Sequence, residues 1–296
     1  MKHMSDELKR RTMAVEAVVK SYLPEGNGHQ KTIFEAMNYS VNAGGKRLRP
    51  MLMQEVYRLF GGNGNEIEPF MAAIEMIHTS SLIHDDLPCM DNDELRRGLP
   101  TTWVKYGYDM AVLAGDALMV YAFETAAKAF SMTTHAERVG QAIGLLAEKT
   151  GIYGMIGGQV VDVELTGNAV SEEQLDFIYR LKTGALLEAS MMIGAVLAGA
   201  SKEQVQIVEQ MAADIGMAFQ IQDDILDVTS NAEILGKPVL SDEKNHKTTY
   251  VTLFGLEQAK SDVEEISERA VTLLHGLPGE NPFLESLIRM LITREN

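Results

Sequence analysis

The stretch from Lys202 to Val228 reads KEQVQIVEQMAADIGMAFQIQDDILDV, and its reading decides the fold. Apolar residues recur along it at three- and four-residue spacing, the period of a helix, while alternation of period two is sustained nowhere in the chain. Near its end Gln220, Asp223, Asp224 and Asp227 stand at i, i+3, i+4 and i+7, so these four share one helical face. Ile221, Ile225 and Val228 flank them, which predicts a helix packed in the protein whose acidic stripe faces something other than bulk water.

The same period runs through Met71 to Leu87, Val112 to Phe130, Ala136 to Thr150 and Ser171 to Ala200. Prolines gather at a few places (Pro24, Pro50, Pro88, Pro100, Pro238, Pro278, Pro282) and leave long stretches rich in Ala, Leu, Met, Glu and Gln between them. The expectation is all-α: a single domain over residues 1–296, with about ten or more helices. Ala185 to Leu197 is apolar almost all round, which places it in the middle of a large bundle or against a second subunit. Gly61 to Gly64, Arg97 to Pro100 and Gly236 to Lys247 read as loops between neighbouring helices.

Of the 296 residues, 46% are hydrophobic and 23% charged, enough apolar material for a sizeable core, which excludes a disordered chain. The formal net charge of −16 argues against nucleic acid or an anionic membrane face as the main partner. A small anionic substrate is still allowed, because it needs only a local basic cluster or bound cations. The longest apolar runs, such as Ala189 to Ala200, reach about a dozen residues, short of the roughly 20 a spanning helix needs, so no membrane span is expected. Cys89 is alone and cannot form an internal disulfide, and no apolar leader follows Met1; the expected home is a reducing cytoplasm.

A second acidic group runs from His84 through Asp85, Asp86, Leu87, Pro88, Cys89, Met90 and Asp91 to Glu94, and Arg96-Arg97 follow it. Pro88 disfavours helical backbone at Leu87, so the helix is expected to break there. On an unbroken helix Asp85 and Asp91 would sit about 240° apart; looping out two residues puts both carboxylates on one face. Either acidic cluster alone reads as a solvated helix end, but two together do not. Carboxylates about 5 Å apart repel by about 3 kcal/mol per pair at an effective dielectric near 20, so a buried stripe calls for cations. Hard oxygen ligands without nearby His or Cys suit Mg²⁺, which is commonly held by a few carboxylates plus substrate phosphate oxygens. A calcium loop fails, because Leu95 and Arg96 occupy the fifth and sixth positions from Asp91.

Gly44-Gly45-Lys46-Arg47-Leu48-Arg49-Pro50 reads as a glycine turn entering a helix, with Lys46 and Arg49 on one face. Such an entry can bind a diphosphate through backbone N–H groups and two cations. It is not a P-loop: Ser40 stands where a glycine is needed and no Ser or Thr follows Lys46. Arg96-Arg97 would otherwise be a solvated turn, His78 a surface or core histidine, and Lys182-Thr183, Lys237 and Lys247 say little singly. Jointly these features describe two anion sites, one served by Mg²⁺ and one by Lys and Arg directly. No βαβ pattern with a glycine-rich turn is present, so the phosphorylated substrates need not be nucleotides.

These motifs, with Gly157-Gly158-Gln159, Phe219-Gln220, Leu235-Gly236-Lys237 and Lys247-Thr248-Thr249-Tyr250, resemble the trans-isoprenyl diphosphate synthases over nearly the whole chain. Pro88-Cys89 matches the two-residue insertion of the bacterial farnesyl and geranylgeranyl type (geranyltranstransferases). The resemblance implies the isoprenoid synthase fold, a helical bundle around a deep central cavity, and a homodimer. It implies a prenyltransferase that joins isopentenyl diphosphate to an allylic diphosphate (dimethylallyl, geranyl or farnesyl), with three Mg²⁺ ions when substrate is bound.

The resemblance assigns isopentenyl diphosphate to Lys46, Arg49, His78 and Arg97. It assigns the allylic diphosphate to Arg96, Lys182, Lys237 and Lys247 with Mg²⁺ on Asp85, Asp91 and Asp223, while Asp86, Asp224 and Asp227 position ligands or waters. Thr183, Gln220 and the Lys182 carbonyl would face the developing allylic cation. Breaking the allylic C–O bond leaves negative charge on diphosphate, and preplaced cations stabilise that charge more in the transition state than before it. The isopentenyl double bond then attacks, and a proton is lost with the departed diphosphate as the expected base. Water must be excluded or it would capture the cation.

The growing tail is expected to run back along the helix toward Ser81, Ser80 and Ile77. In the farnesyl-type relatives the fifth residue before the first Asp is commonly aromatic and acts as a floor; here it is Ser80, next to Ser81. Two small residues predict a deeper cavity and twenty-carbon product alongside or instead of fifteen-carbon, unless Met119, Phe123 or Met155 supplies a floor. Two alternatives remain. A non-catalytic subunit of a heteromeric synthase would be expected to lose an Asp cluster or the paired Arg residues. A terpene cyclase would carry a different second metal motif than Gln220 to Asp227.

Overall fold

The computed structural model describes residues 2–229 and 248–292. It is built almost wholly of helices: α1 Lys2–Ser21, α2 Lys31–Asn42, α3 Leu48–Leu59, α4 Glu68–Asp85, α5 Thr102–Tyr106, α6 Tyr108–Ala127, α7 Ala136–Thr150, α8 Met155–Glu164, α9 Glu172–Ile178, α10 Ala185–Ala198, α11 Lys202–Thr229, α12 Tyr250–Phe254, α13 Leu256–His275 and α14 Pro282–Ile292. The all-α expectation holds.

Helix α4 sits at the centre because its first half is apolar nearly all round. From Pro69 to Ile77 every residue is buried, Glu75 included, and α4 packs against α1, α2, α3, α6 and α10. Helix α10, apolar from Ala185 to Leu197 but for Glu188 and Ser190, is buried over that whole length against α3, α7 and α11. One hydrophobic cluster takes side chains from Val15 through Ile292, so α1 and α14 share a core with the middle of the chain.

Two details differ from the sequence reading. The run expected as one helix from Ser171 to Ala200 contains a π-helical turn, Tyr179–Gly184, between α9 and α10. The Arg97-Gly98 loop is a tight hairpin between β1 (Leu95–Arg96) and β2 (Leu99–Pro100), in which Leu95 pairs with Pro100 and Arg96 with Leu99. Its central residues have φ of 53° and 75°, the left-handed pair of a two-residue hairpin turn, which Gly98 takes easily and Arg97 only with strain. Among the described residues Tyr108–Ser131 and Glu172–Ala198 are long and apolar enough to cross a membrane by length and composition, which does not contradict the expectation of no span. The second is 78% buried inside the protein, as a core helix is, and the first 39%.

Candidate active site

The first acidic wall is made by the end of α4. The helix stops at Asp85, as the proline two residues beyond Asp86 requires. The chain then folds back so that the Asp91 N–H donates to the Asp85 carbonyl at 2.9 Å and the Asn92 N–H to the Leu87 carbonyl at 3.1 Å. The predicted break therefore brings Asp91 beside Asp85. Burial pushes the Asp85 carboxyl up to about 6; Asp91 and Asp86 push the same way, against Lys182 and Arg96. Gln159 Nε2 donates to Asp85 Oδ1 at 2.8 Å. Asp86 is 3% exposed and is held by Arg96, whose Nε and Nη2 lie 2.6 Å from its Oδ1.

Gln159 reaches that wall because α8 approaches the π turn closely. A Cβ at Gly158 would lie 2.3 Å from the Lys182 backbone nitrogen, so only glycine fits. The contact also sets Lys182 Nζ 2.5 Å from Asp162 Oδ2. Burial opposes charge on Lys182, but Asp162, then Asp85 and Asp91, outweigh it and raise the pKa above the ordinary lysine value. Sequence reasoning missed Asp162, although it stands three residues after Gln159 on one face of α8.

The next residue reaches the second wall. Thr183 Oγ1 donates to Gln220 Oε1 on α11 at 3.0 Å. Asp162, Lys182, Thr183, Gln220 and Asp224 line one cavity of about 140 Å³ with Leu165, Tyr179 and Thr249. Asp224 is 3% exposed and turned inward: it accepts the Tyr179 hydroxyl and, at 2.7 Å, the Tyr250 N–H. It therefore ties the π turn and the start of α12 to α11. Asp227 is buried and Asp223 half-buried on the same helix. Among the described residues no three carboxylates, histidines or cysteines converge on a single point; the acidic groups stand on separate elements linked through Lys182 and Thr183. Lys237 and Lys247 lie outside the described residues.

A third group is cationic. Arg97 donates to the Gly44 carbonyl. Burial, then Arg49, Arg97, Arg96 and Arg47, hold His78 well below the usual histidine range, so its ring is neutral at pH 7. The structure thus gathers Arg49, His78, Arg96 and Arg97. Lys46 departs from the sequence reading: α3 begins at Leu48, so Lys46 is exposed in the preceding turn rather than on the helix face of Arg49. Ser80 is fully buried, its Oγ donating to the Ile77 carbonyl at 2.8 Å, and Ser81 is half-buried.

Comparison with known proteins points the same way. The polyprenyl synthetase family model matches residues 30–272. The chain is 50% identical over 245 residues to a chloroplastic geranylgeranyl pyrophosphate synthase of Capsicum annuum, a match covering 82% of this chain and 66% of that one. It is 40% identical over 294 residues to a farnesyl diphosphate synthase of Geobacillus stearothermophilus, covering 98% of this chain and 97% of that one. The crystal structure of a geranyltransferase from Helicobacter pylori, complexed with magnesium and isoprenyl diphosphate, superposes with a TM-score of 0.83 at 32% identity, over 97% of this chain and 95% of that one.

Proposed function

The chain belongs to the polyprenyl synthetase family, and on that premise we propose that it is the prenyltransferase that joins isopentenyl diphosphate to an allylic diphosphate, giving farnesyl or geranylgeranyl diphosphate. The observation that carries this reading is the placement of Lys182-Thr183: the Lys182 ammonium, held by Asp162, feels the charges of Asp85 and Asp91 on the first acidic wall, and the Thr183 hydroxyl reaches Gln220 on the second.

The donor set suits Mg²⁺. Asp85 is an oxygen ligand held close to another carboxylate and raised toward 6 by burial, the condition a divalent cation relieves. Asp85, Asp91 and Asp223, with Asp86 and Asp227, would hold it, as three ions when substrate is present. Bound there, Mg²⁺ supplies positive charge for the departing diphosphate. Lys182 and the N–H groups of Arg96 not spent on Asp86 bind the same diphosphate. Thr183 and Gln220 set oxygen atoms beside the allylic carbons, where a cation would develop. Arg49, Arg97, neutral His78 and Lys46 orient isopentenyl diphosphate so that its double bond meets that cation, and the released diphosphate takes the proton. Incubation with labelled isopentenyl diphosphate, geranyl diphosphate and Mg²⁺ should give an elongated linear diphosphate; a cyclic hydrocarbon, or no product, would refute the assignment.

With a small residue at Ser80, twenty-carbon product is made alongside or instead of fifteen-carbon. The exposed apolar face of α6, with Leu113 and Val120, lies on the less buried of the two apolar runs, and it supports a homodimer. Light scattering giving a monomer mass would contradict that. The lone cysteine is in keeping with a cytoplasmic home.

A further inference from the structure

Beneath the cationic group lies one carboxylate that no step of the reaction uses. Glu75 stands on α4 one turn before His78, is 2% exposed, and accepts a 2.6 Å hydrogen bond from Arg47 Nη1. Arg47 is equally buried, and its Nη2 donates to the Val41 carbonyl at 2.6 Å, so one guanidinium ties α2 to α4. The Arg47 backbone is left-handed, with φ of 51°. That conformation strains a non-glycine residue and persists only where its surroundings impose it. Here the pinned side chain imposes it.

The turn so fixed carries the site. Gly44 and Gly45 precede Arg47 with φ of 92° and 139°, and a Cβ at Gly45 would lie 2.9 Å from Arg97 Nη2. Arg97 therefore rests on the turn that Arg47 anchors, Lys46 projects from it, and α3 with Arg49 starts directly after it. Glu75 also faces the rest of the group: its charge favours the charged forms of both Arg49 and Arg97, which burial disfavours. Four arginines around His78 repel one another before any anion arrives. Glu75, with Asp86 on the Arg96 side, opposes that repulsion.

We propose that Glu75, acting through Arg47, is a positioning residue that holds the isopentenyl diphosphate subsite in its binding shape before substrate arrives. The proposal rests on the reading of this cationic group given above. A residue that only braced the fold would change stability and leave the two substrates alike, whereas a positioning residue changes one substrate's KM selectively.

The test is steady-state kinetics of Glu75→Gln and Glu75→Asp beside the wild type, each substrate varied in turn. Glu75→Gln should raise KM for isopentenyl diphosphate about tenfold or more while KM for the allylic diphosphate stays within about twofold, and Glu75→Asp should recover most of the loss. Equal changes in both constants, or a lower melting temperature with neither changed, would overturn the proposal. Removing one partner of a buried ion pair can unfold a protein. If Glu75→Gln does not fold, Glu75→Asp carries the comparison, with an expected rise of about threefold in the same constant and none in the allylic one. Failure of both variants to fold would reduce the pair to a structural tie and contradict the proposal. If the wild type shows no turnover of isopentenyl diphosphate, the functional reading fails instead. Titration with inorganic diphosphate then decides on Glu75: binding about tenfold weaker in a folded variant supports its role, and equal binding overturns it.

Discussion

Lys182 Nζ and Asp162 Oδ2 lie 2.5 Å apart, an ion pair between the π turn and α8 that holds the ammonium where Asp85 and Asp91 also act on it. Asp162→Asn keeps the shape and removes the charge. A partly buried, charge-assisted bond contributes about 1.5–3 kcal/mol, so catalytic efficiency with the allylic substrate should fall about tenfold to a hundredfold. Steady-state kinetics check this, and an unchanged value would show that Lys182 needs no such guide.

Gly158 is the reason α8 comes this close. Gly158→Ala would place a methyl 2.3 Å from the Lys182 nitrogen, against backbone that cannot rotate away. We expect a loss of about 1–3 kcal/mol in stability, measured by urea denaturation, with activity falling further than stability explains because Lys182 and Gln159 shift together.

Asp85 gives a pH dependence with a definite sign. Its folded-state carboxyl is raised to about 6, so the native metal-free protein binds the proton more tightly than the unfolded chain does. This group's contribution to stability is therefore fully present below the ordinary aspartate range and is lost as pH rises through about 6. Titration of the metal-free protein by carboxyl-carbon NMR should show this resonance moving near pH 6, and Mg²⁺ should shift the midpoint downward. A midpoint near 4 without metal would contradict the described burial.

Ser80 is fully buried on α4, so a larger side chain there must take space from its neighbours. If the prenyl tail occupies that space, Ser80→Phe should shift the product from twenty to fifteen carbons. Chromatography of the products decides: an unchanged ratio in a folded variant would remove Ser80 as the floor.

Much of this was legible in the sequence, for reasons specific to particular residues. The helix period of Lys202 to Val228 and the break ahead of Pro88 are local properties, and the break alone predicts that Asp91 returns to Asp85. The π turn was not legible, because one wide turn barely disturbs the apolar period of Ser171 to Ala200. Asp162 and Glu75 look in sequence like other acidic residues on helices; only packing shows that one meets Lys182 and the other Arg47. Lys46 was misplaced because the left-handed Arg47 delays the helix start by two residues.

On the proposed mechanism the two acidic walls together hold the cations that draw diphosphate from a prenyl chain. Crystals grown with Mn²⁺ in place of Mg²⁺ and a non-cleavable allylic diphosphate analogue test it directly, since anomalous scattering locates the ions. The expected result is ions ligated by Asp85 and Asp91 on one side and Asp223 on the other, with the diphosphate against Lys182. Ions bound to one wall only, or found away from both, would contradict it.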